Sequence, residues 1–139
     1  GGVTVIDDFA HHPTAVRLTI EAVRQRFPGR RLCAVFEPRS FTARGATFQA
    51  EFNEAFAGAD RVLLAAPFRS DYSAGHALLD TAAVAAALGR RGVAARACAD
   101  SAQVLEALAG ETLAGDVVLV MSNGGFDGAP RRFPEEQGQ

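Results

Sequence analysis

The stretch DDFAHHP, from Asp7 to Pro13, sets two carboxylates and two imidazoles side by side. An acid such as Asp8 is suited to accept hydrogen bonds from paired hydroxyls, as acids do for ribose in dinucleotide-binding folds. His11 and His12 can donate to phosphate or carboxylate oxygens. Pro13 fits the first position of a helix, so the residues before it would lie against free amides that attract anions. The same pattern also suits a plain turn, with Asp8 capping it and both histidines in water. A metal centre fits poorly: adjacent histidines seldom reach one ion together, and no third ligand is suitably spaced.

Two further segments carry polar chemistry. In EPRSFTARG, Arg39 and Arg44 enclose Ser40 and Thr42. Forked guanidinium donors there could grip a carboxylate or phosphate, or Thr42 could cap a helix with the arginines solvated. In SNGGF, Ser122 and Asn123 precede Gly124 and Gly125, whose backbone can turn tightly and approach a ligand closely. PFRSDYSAGH contains Arg69, Asp71 and His76, to which no role is assigned.

The elements that must position these segments alternate. A β-branched strand over Val3–Ile6 leads to a helix with apolar positions at Val16, Ile20, Val23 and Phe27. Leu32–Phe36 is a second strand, followed by a helix whose Phe48, Phe52 and Phe56 recur on one side as core. Val62–Ala66 is a third strand, and an alanine-rich helix over Thr81–Leu88 ends in Gly89–Gly92. Ala94–Cys98, a helix capped by Ser101 and running to Leu108, and the strand Val117–Met121 complete the series. This alternation predicts an α/β fold, a three-layer Rossmann-like open, mostly parallel sheet with helices on both faces and right-handed crossovers. In such a sheet every strand-to-helix loop leaves at the carboxyl edge, so DDFAHHP, EPRSFTARG, PFRSDYSAGH and SNGGF should share one rim.

Length and composition set bounds. The 139 residues fit one domain, 1–139, with a polar tail over 131–139 that should fray. A net charge of −2 offers no footprint for nucleic acid. No apolar run spans a membrane, and GGVTVIDD is not a secretory signal. Cys33 and Cys98 lie in apolar runs as reduced core thiols, which predicts a cytoplasmic protein. All 14 basic side chains are arginine. A phosphate-binding loop ending in G-K-[ST] is therefore absent from this chain, and a nucleotide triphosphate would be gripped mainly by another segment.

With these loops in place, the chain resembles the C-terminal domain of the Mur ligases, which are ATP-dependent enzymes that join amino acids to UDP-N-acetylmuramic acid. DDFAHHPTAV is similar to their D-D-Y-A-H-x-P segment, with Phe9 in place of the usual tyrosine. FEPRSFTARGATFQAEFNEAFAGADRV and VVLVMSNGGF resemble the branch that adds the tripeptide L-Ala-γ-D-Glu-meso-diaminopimelate in peptidoglycan recycling. The alanine-adding branch typically reads F-Q-P-H-R-Y-T-R where this chain has F-E-P-R-S-F-T-A. The segment DGAPRRF after SNGGF departs from the glycine-rich, histidine-containing continuation of the family.

The resemblance implies three domains, with an N-terminal domain holding the UDP-sugar and a central ATPase domain holding the phosphate-binding loop and Mg²⁺. The C-terminal domain closes over both and is expected to be inactive alone. By the same resemblance Asp8 contacts the ATP ribose, and His11, with His12 beside it, lies near the phosphates or the reacting carboxylate as the candidate catalytic group. Arg39, Ser40, Thr42, Arg44, Ser122, Asn123, Gly124 and Gly125 face the incoming amine. ATP, UDP-N-acetylmuramate and the murein tripeptide are then the implied ligands, with no nucleic acid or membrane partner. The alanine-adding ligase, a folylpolyglutamate-synthase-like ligase, and a stand-alone Rossmann-like binding module remain the competing readings.

Overall fold

The computed structural model describes residues 2–38, 48–66 and 79–122. Its strands are β1 (Thr4–Asp8), β2 (Leu32–Phe36), β3 (Arg61–Ala65), β4 (Ala94–Cys98) and β5 (Val117–Met121). Between them run α1 (Pro13–Arg26), α2 (Gln49–Ala55), α3 (Thr81–Arg90) and α4 (Ser101–Glu111). All neighbouring strands pair in parallel, in the order β1-β5-β2-β3-β4. The expected layered α/β fold is therefore present.

The pleat sorts the core into two clusters. Ala34, Phe36, Val62, Leu64, Leu119 and Met121 pack toward α1, α2 and α3 through Val16, Ile20, Phe52, Phe56, Val84 and Leu88. Cys33, Val35, Leu63, Val118 and Val120 turn to the other face, where α4 covers them with Val104, Leu105 and Leu108. This division follows from crossover handedness. The connections from β1 through β4 advance across the sheet, whereas β4 to β5 returns, and a return of the same hand must use the opposite face.

Helix boundaries have local causes. Pro13 opens α1 without wasting an amide, and Arg24 and Arg26 sit in its last turn, where the helix dipole favours cations. The cap of α4 is Asp100, not the Ser101 expected from sequence. Asp100 accepts from the Gln103 amide at 2.9 Å, while the Gln103 side chain accepts from the Ala99 amide at 2.8 Å, so two end amides are satisfied together. Gln49 clamps the start of α3: its side chain accepts from the Asp80 amide at 2.8 Å and donates to the Asp80 carbonyl at 3.0 Å. Gly92, at φ 85°, ends α3 in a conformation that a side chain would strain.

The amino edge is held by arginines. Arg30 donates to the carbonyls of Gly115 (2.7 Å) and Asp116 (3.2 Å) and to Thr4 Oγ1 (2.9 Å), tying β1 to β5. Arg31 donates from Nε to Asp116 Oδ1 at 3.0 Å and from its terminal nitrogen to Oδ2. Burial alone would raise the Asp116 carboxyl, but the Arg31 hydrogen bond and the Leu113 amide outweigh it and hold it below 3.8. The Arg24 hydrogen bond likewise lowers Asp60, with the Leu32 amide assisting against burial.

A folded-state value below the unfolded one means that these acids contribute stability above pH 3.8, and lose it as pH falls through their lower folded values. The urea midpoint should therefore drop below about pH 4, the ordinary carboxylate range. Asp116→Asn should cost about 2 kcal/mol at pH 7, by loss of charge-assisted bonds, and flatten that acid limb. An unchanged acid limb in the variant would contradict the assignment.

Candidate functional site

The carboxyl edge brings three strand ends together. Asp8 is in register with Met121, and Phe36 with Met121 from the other side, so the chain leaves β1, β5 and β2 at adjacent points. Backbone bonds lace these exits: the Ser122 amide donates to the Asp8 carbonyl at 3.1 Å and the Glu37 amide to the Met121 carbonyl at 3.2 Å. Of the residues expected at this rim, Asp8, His11, His12 and Ser122 are placed there. Arg39, Ser40, Thr42, Arg44, Asn123, Gly124 and Gly125 lie outside the described residues, as do Arg69, Asp71, His76 and the tail 131–139.

The first strand runs two residues further than sequence predicts, so Asp7 and Asp8 belong to β1 and not to the loop. Alternation then separates them. Asp8 shares the side of Ile6, which packs on the cluster beneath α1, while Asp7 faces the other way and is exposed. This places Asp8, and not Asp7, beside the start of α1. Asp8 Oδ2 accepts from the Ala10 amide at 2.9 Å and forms the turn, which leaves Oδ1 to accept from a ligand hydroxyl.

The two histidines differ. His11 Nδ1 lies 3.0 Å from the Phe9 carbonyl, which can only accept, so the proton sits on Nδ1 and the exposed Nε2 faces outward. His12 is the N-cap of α1: its Nδ1 accepts from the Thr14 amide at 3.2 Å. Its ring meets Phe48 edge-on, with centroids 4.8 Å apart. One amide of the helix end is thereby occupied by the protein itself, and Nε2–H is the part of His12 that can reach a ligand. Phe9, between Asp8 and the histidines, is 70% exposed. Its carbonyl is held by His11 while its ring projects.

Sequence reasoning did not single out Glu37. Both it and Ser122 are buried, and Ser122 Oγ donates to Glu37 Oε1 at 3.2 Å. The available signal was an acid that directly prolongs the wholly buried strand LCAVF.

The two thiols among the described residues belong to the core. Cys33 and Cys98 are free and buried; burial pushes the Cys33 thiol up to about 11, so it is not a nucleophile near neutral pH. Among the described residues no three His, Cys, Asp or Glu side chains gather to hold a metal. No helix among them is long and apolar enough to cross a membrane.

Comparison with known proteins agrees with this geometry. Residues 1–124 match the family model described as Mur ligase, glutamate ligase domain. The UDP-N-acetylmuramate–L-alanine ligase of Burkholderia thailandensis is 36% identical over 143 aligned positions, covering 100% of this chain and 30% of that protein. The murein peptide ligase of Psychrobacter arcticus superposes with a TM-score of 0.80 at 27% identity, covering 99% of this chain and 28% of the other. A domain crystallised from a candidate UDP-N-acetylmuramate:L-alanyl-γ-D-glutamyl-meso-diaminopimelate ligase of Haemophilus ducreyi gives 0.74 at 26% identity, covering 98% of this chain and 92% of that one. The chain spans less than a third of the length of the curated relatives it matches, 27% and 30% for two of them. With 124 of its residues under the family model and the exits of β1, β5 and β2 laced at one sheet edge, the chain belongs to the Mur ligase family, as its C-terminal, glutamate ligase domain.

Proposed function

We propose that this domain closes the active site of a full-length, cytoplasmic, ATP-dependent ligase that joins L-Ala-γ-D-Glu-meso-diaminopimelate to UDP-N-acetylmuramate. The observation that carries the tripeptide reading is the likeness to murein peptide ligase, with a TM-score of 0.80 over 99% of the chain. The altered F-E-P-R-S-F-T-A segment supports it, since redistributed arginines suit a larger acceptor than alanine. A specific observation favours the alanine-adding reading: curated relatives of that activity are 34–36% identical.

In either case ATP supplies the phosphoryl group that activates the muramate carboxylate as an acyl phosphate, and the acceptor amine displaces phosphate. The grip on the triphosphate and on Mg²⁺ belongs to the central domain. This domain positions and stabilises charge on closure. Asp8 Oδ1 accepts from the ribose hydroxyls, His12 Nε2–H faces the phosphates from the start of α1, and the His11 Nε2 lone pair is the group beside them that can accept a proton. Arg39 and Arg44 would hold the acceptor's carboxylates.

The deciding measurement is phosphate release by the full-length enzyme with UDP-N-acetylmuramate, ATP and either free L-alanine or the tripeptide. We expect kcat/KM for the tripeptide to exceed that for L-alanine by more than about a hundredfold, because charged groups built for a larger acceptor stay unpaired with a small one. The opposite ratio establishes the alanine-adding reading. Release with neither, or a gene without an upstream G-K-[ST] loop, favours a stand-alone binding module.

A further inference from the structure

We infer that Glu37 and Ser122 form a positioning pair for the acceptor side of the reaction, a role that rests on the ligase reading above. Three observations carry it. The pair spans two strand ends far apart in sequence, with Ser122 Oγ donating to Glu37 Oε1 at 3.2 Å. Both residues are nearly sealed from water, Glu37 at 7% and Ser122 at 1% exposure. Each directly adjoins a segment assigned to the acceptor: Arg39 follows Glu37 by two positions, and Asn123 follows Ser122.

A carboxyl group buried at the end of a fully apolar strand is costly to keep for stability alone. Its use is geometric. Together with the backbone bonds from Glu37 to Met121 and from Ser122 to Asp8, the side-chain bond fixes the spacing of the exits from β2 and β5. The pair also lies on a different side of the edge from the nucleotide residues. Cys33 and Val35 of β2 and Val118 and Val120 of β5 face α4, and the same two-residue period carried one position past each strand puts Glu37 and Ser122 on that side. Asp8 lies with Ile6 on the α1 face. Loosening the pair therefore disturbs acceptor binding and leaves nucleotide binding in place. A glutamine at position 37, as in the alanine-adding pattern, keeps an oxygen that Ser122 can donate to.

The test uses the full-length enzyme with whichever acceptor its wild type consumes, so that it does not depend on which acceptor that is. Steady-state kinetics and thermal unfolding are measured for Ser122→Ala, Glu37→Ala, Glu37→Gln and the double alanine variant. Each alanine variant should raise the acceptor KM about tenfold and change the ATP KM by less than about twofold, the scale of one buried hydrogen bond to a carboxylate. The double variant should cost clearly less than the sum of the two singles, since either substitution alone already breaks the bond they share. Glu37→Gln should recover the acceptor KM to within about threefold of wild type, because its amide oxygen still accepts.

Equal rises in both KM values, additive effects, or an unchanged acceptor KM overturn the inference. If Glu37→Ala does not fold, Ser122→Ala decides: loss of one hydroxyl with an unchanged acceptor KM overturns it. An enzyme that consumes neither acceptor overturns the ligase reading together with this pair, whereas normal wild-type turnover with unselective variants overturns the pair alone.

Discussion

Phe52→Ala is expected to destabilise this chain by about 3–5 kcal/mol, a large share of the 5–15 kcal/mol typical of a domain. Phe52 is fully buried in α2, with its ring 5.3 Å from that of Phe36 and 6.2 Å from that of Phe56. Phe36 and Phe56 are themselves 5.3 Å apart, so the three rings form a closed cluster under the carboxyl end of β2. Removing one ring loses its own burial and leaves a void that the other two, each wedged between sheet and helix, cannot collapse to fill. α2 has no side-chain cap bond at its start, so packing holds it to the sheet. Urea unfolding checks the value. Phe52→Leu, which fills part of the void, should cost clearly less, and a loss below about 1 kcal/mol for Phe52→Ala would contradict the packing account.

How far the sequence reaches depends on the range of the interaction involved. LCAVF and VVLVM read as buried strands because a parallel strand covered on both faces is apolar at every position, and both occupy the predicted residues. The apolar pattern ends the first strand too early because the strand's last residues are acids. In the fold the ladder continues through Asp8, since β5 offers Met121 as a partner whatever the side chain, and the sheet edge leaves the carboxylate room. That β1, β5 and β2 end side by side at one edge was legible from the parallel alternation alone. The roles within it were less so. Two adjacent histidines read alike, as donors to an anion or as side chains in water, yet one of them caps its own helix, a bond that depends on the exact entry angle before Pro13. Glu37 read as one more polar loop residue, because the hydroxyl that partners it lies 85 positions away. Local patterns carry no trace of such a pairing.

Asp8→Asn in the full-length enzyme is expected to raise the KM for ATP by about ten- to a hundredfold while leaving thermal stability nearly unchanged. The two oxygens of Asp8 have separate uses. Oδ2 accepts from the Ala10 amide at 2.9 Å and holds the turn that leads to α1. Oδ1 is the acceptor proposed for the ribose hydroxyls. Asparagine keeps one carbonyl oxygen, which can serve Ala10, and replaces the other with an NH₂ group that cannot accept. It therefore preserves the turn and removes the ligand contact, whereas Asp8→Ala removes both. One or two hydrogen bonds from hydroxyls to a carboxylate amount to about 1.5–3 kcal/mol, which sets the expected range. The comparison between variants is what gives the test force. If Asp8 only shapes the turn, Asn behaves as wild type and Ala impairs ATP and acceptor use together, by misplacing His11, His12 and the start of α1. If Asp8 binds the nucleotide, Asn and Ala share the ATP defect, and only Ala adds a loss of stability, about 1 kcal/mol for the turn amide left unpaired. Unchanged ATP kinetics in Asp8→Asn would remove the ribose assignment and leave the DDFAHHP segment as a capped turn.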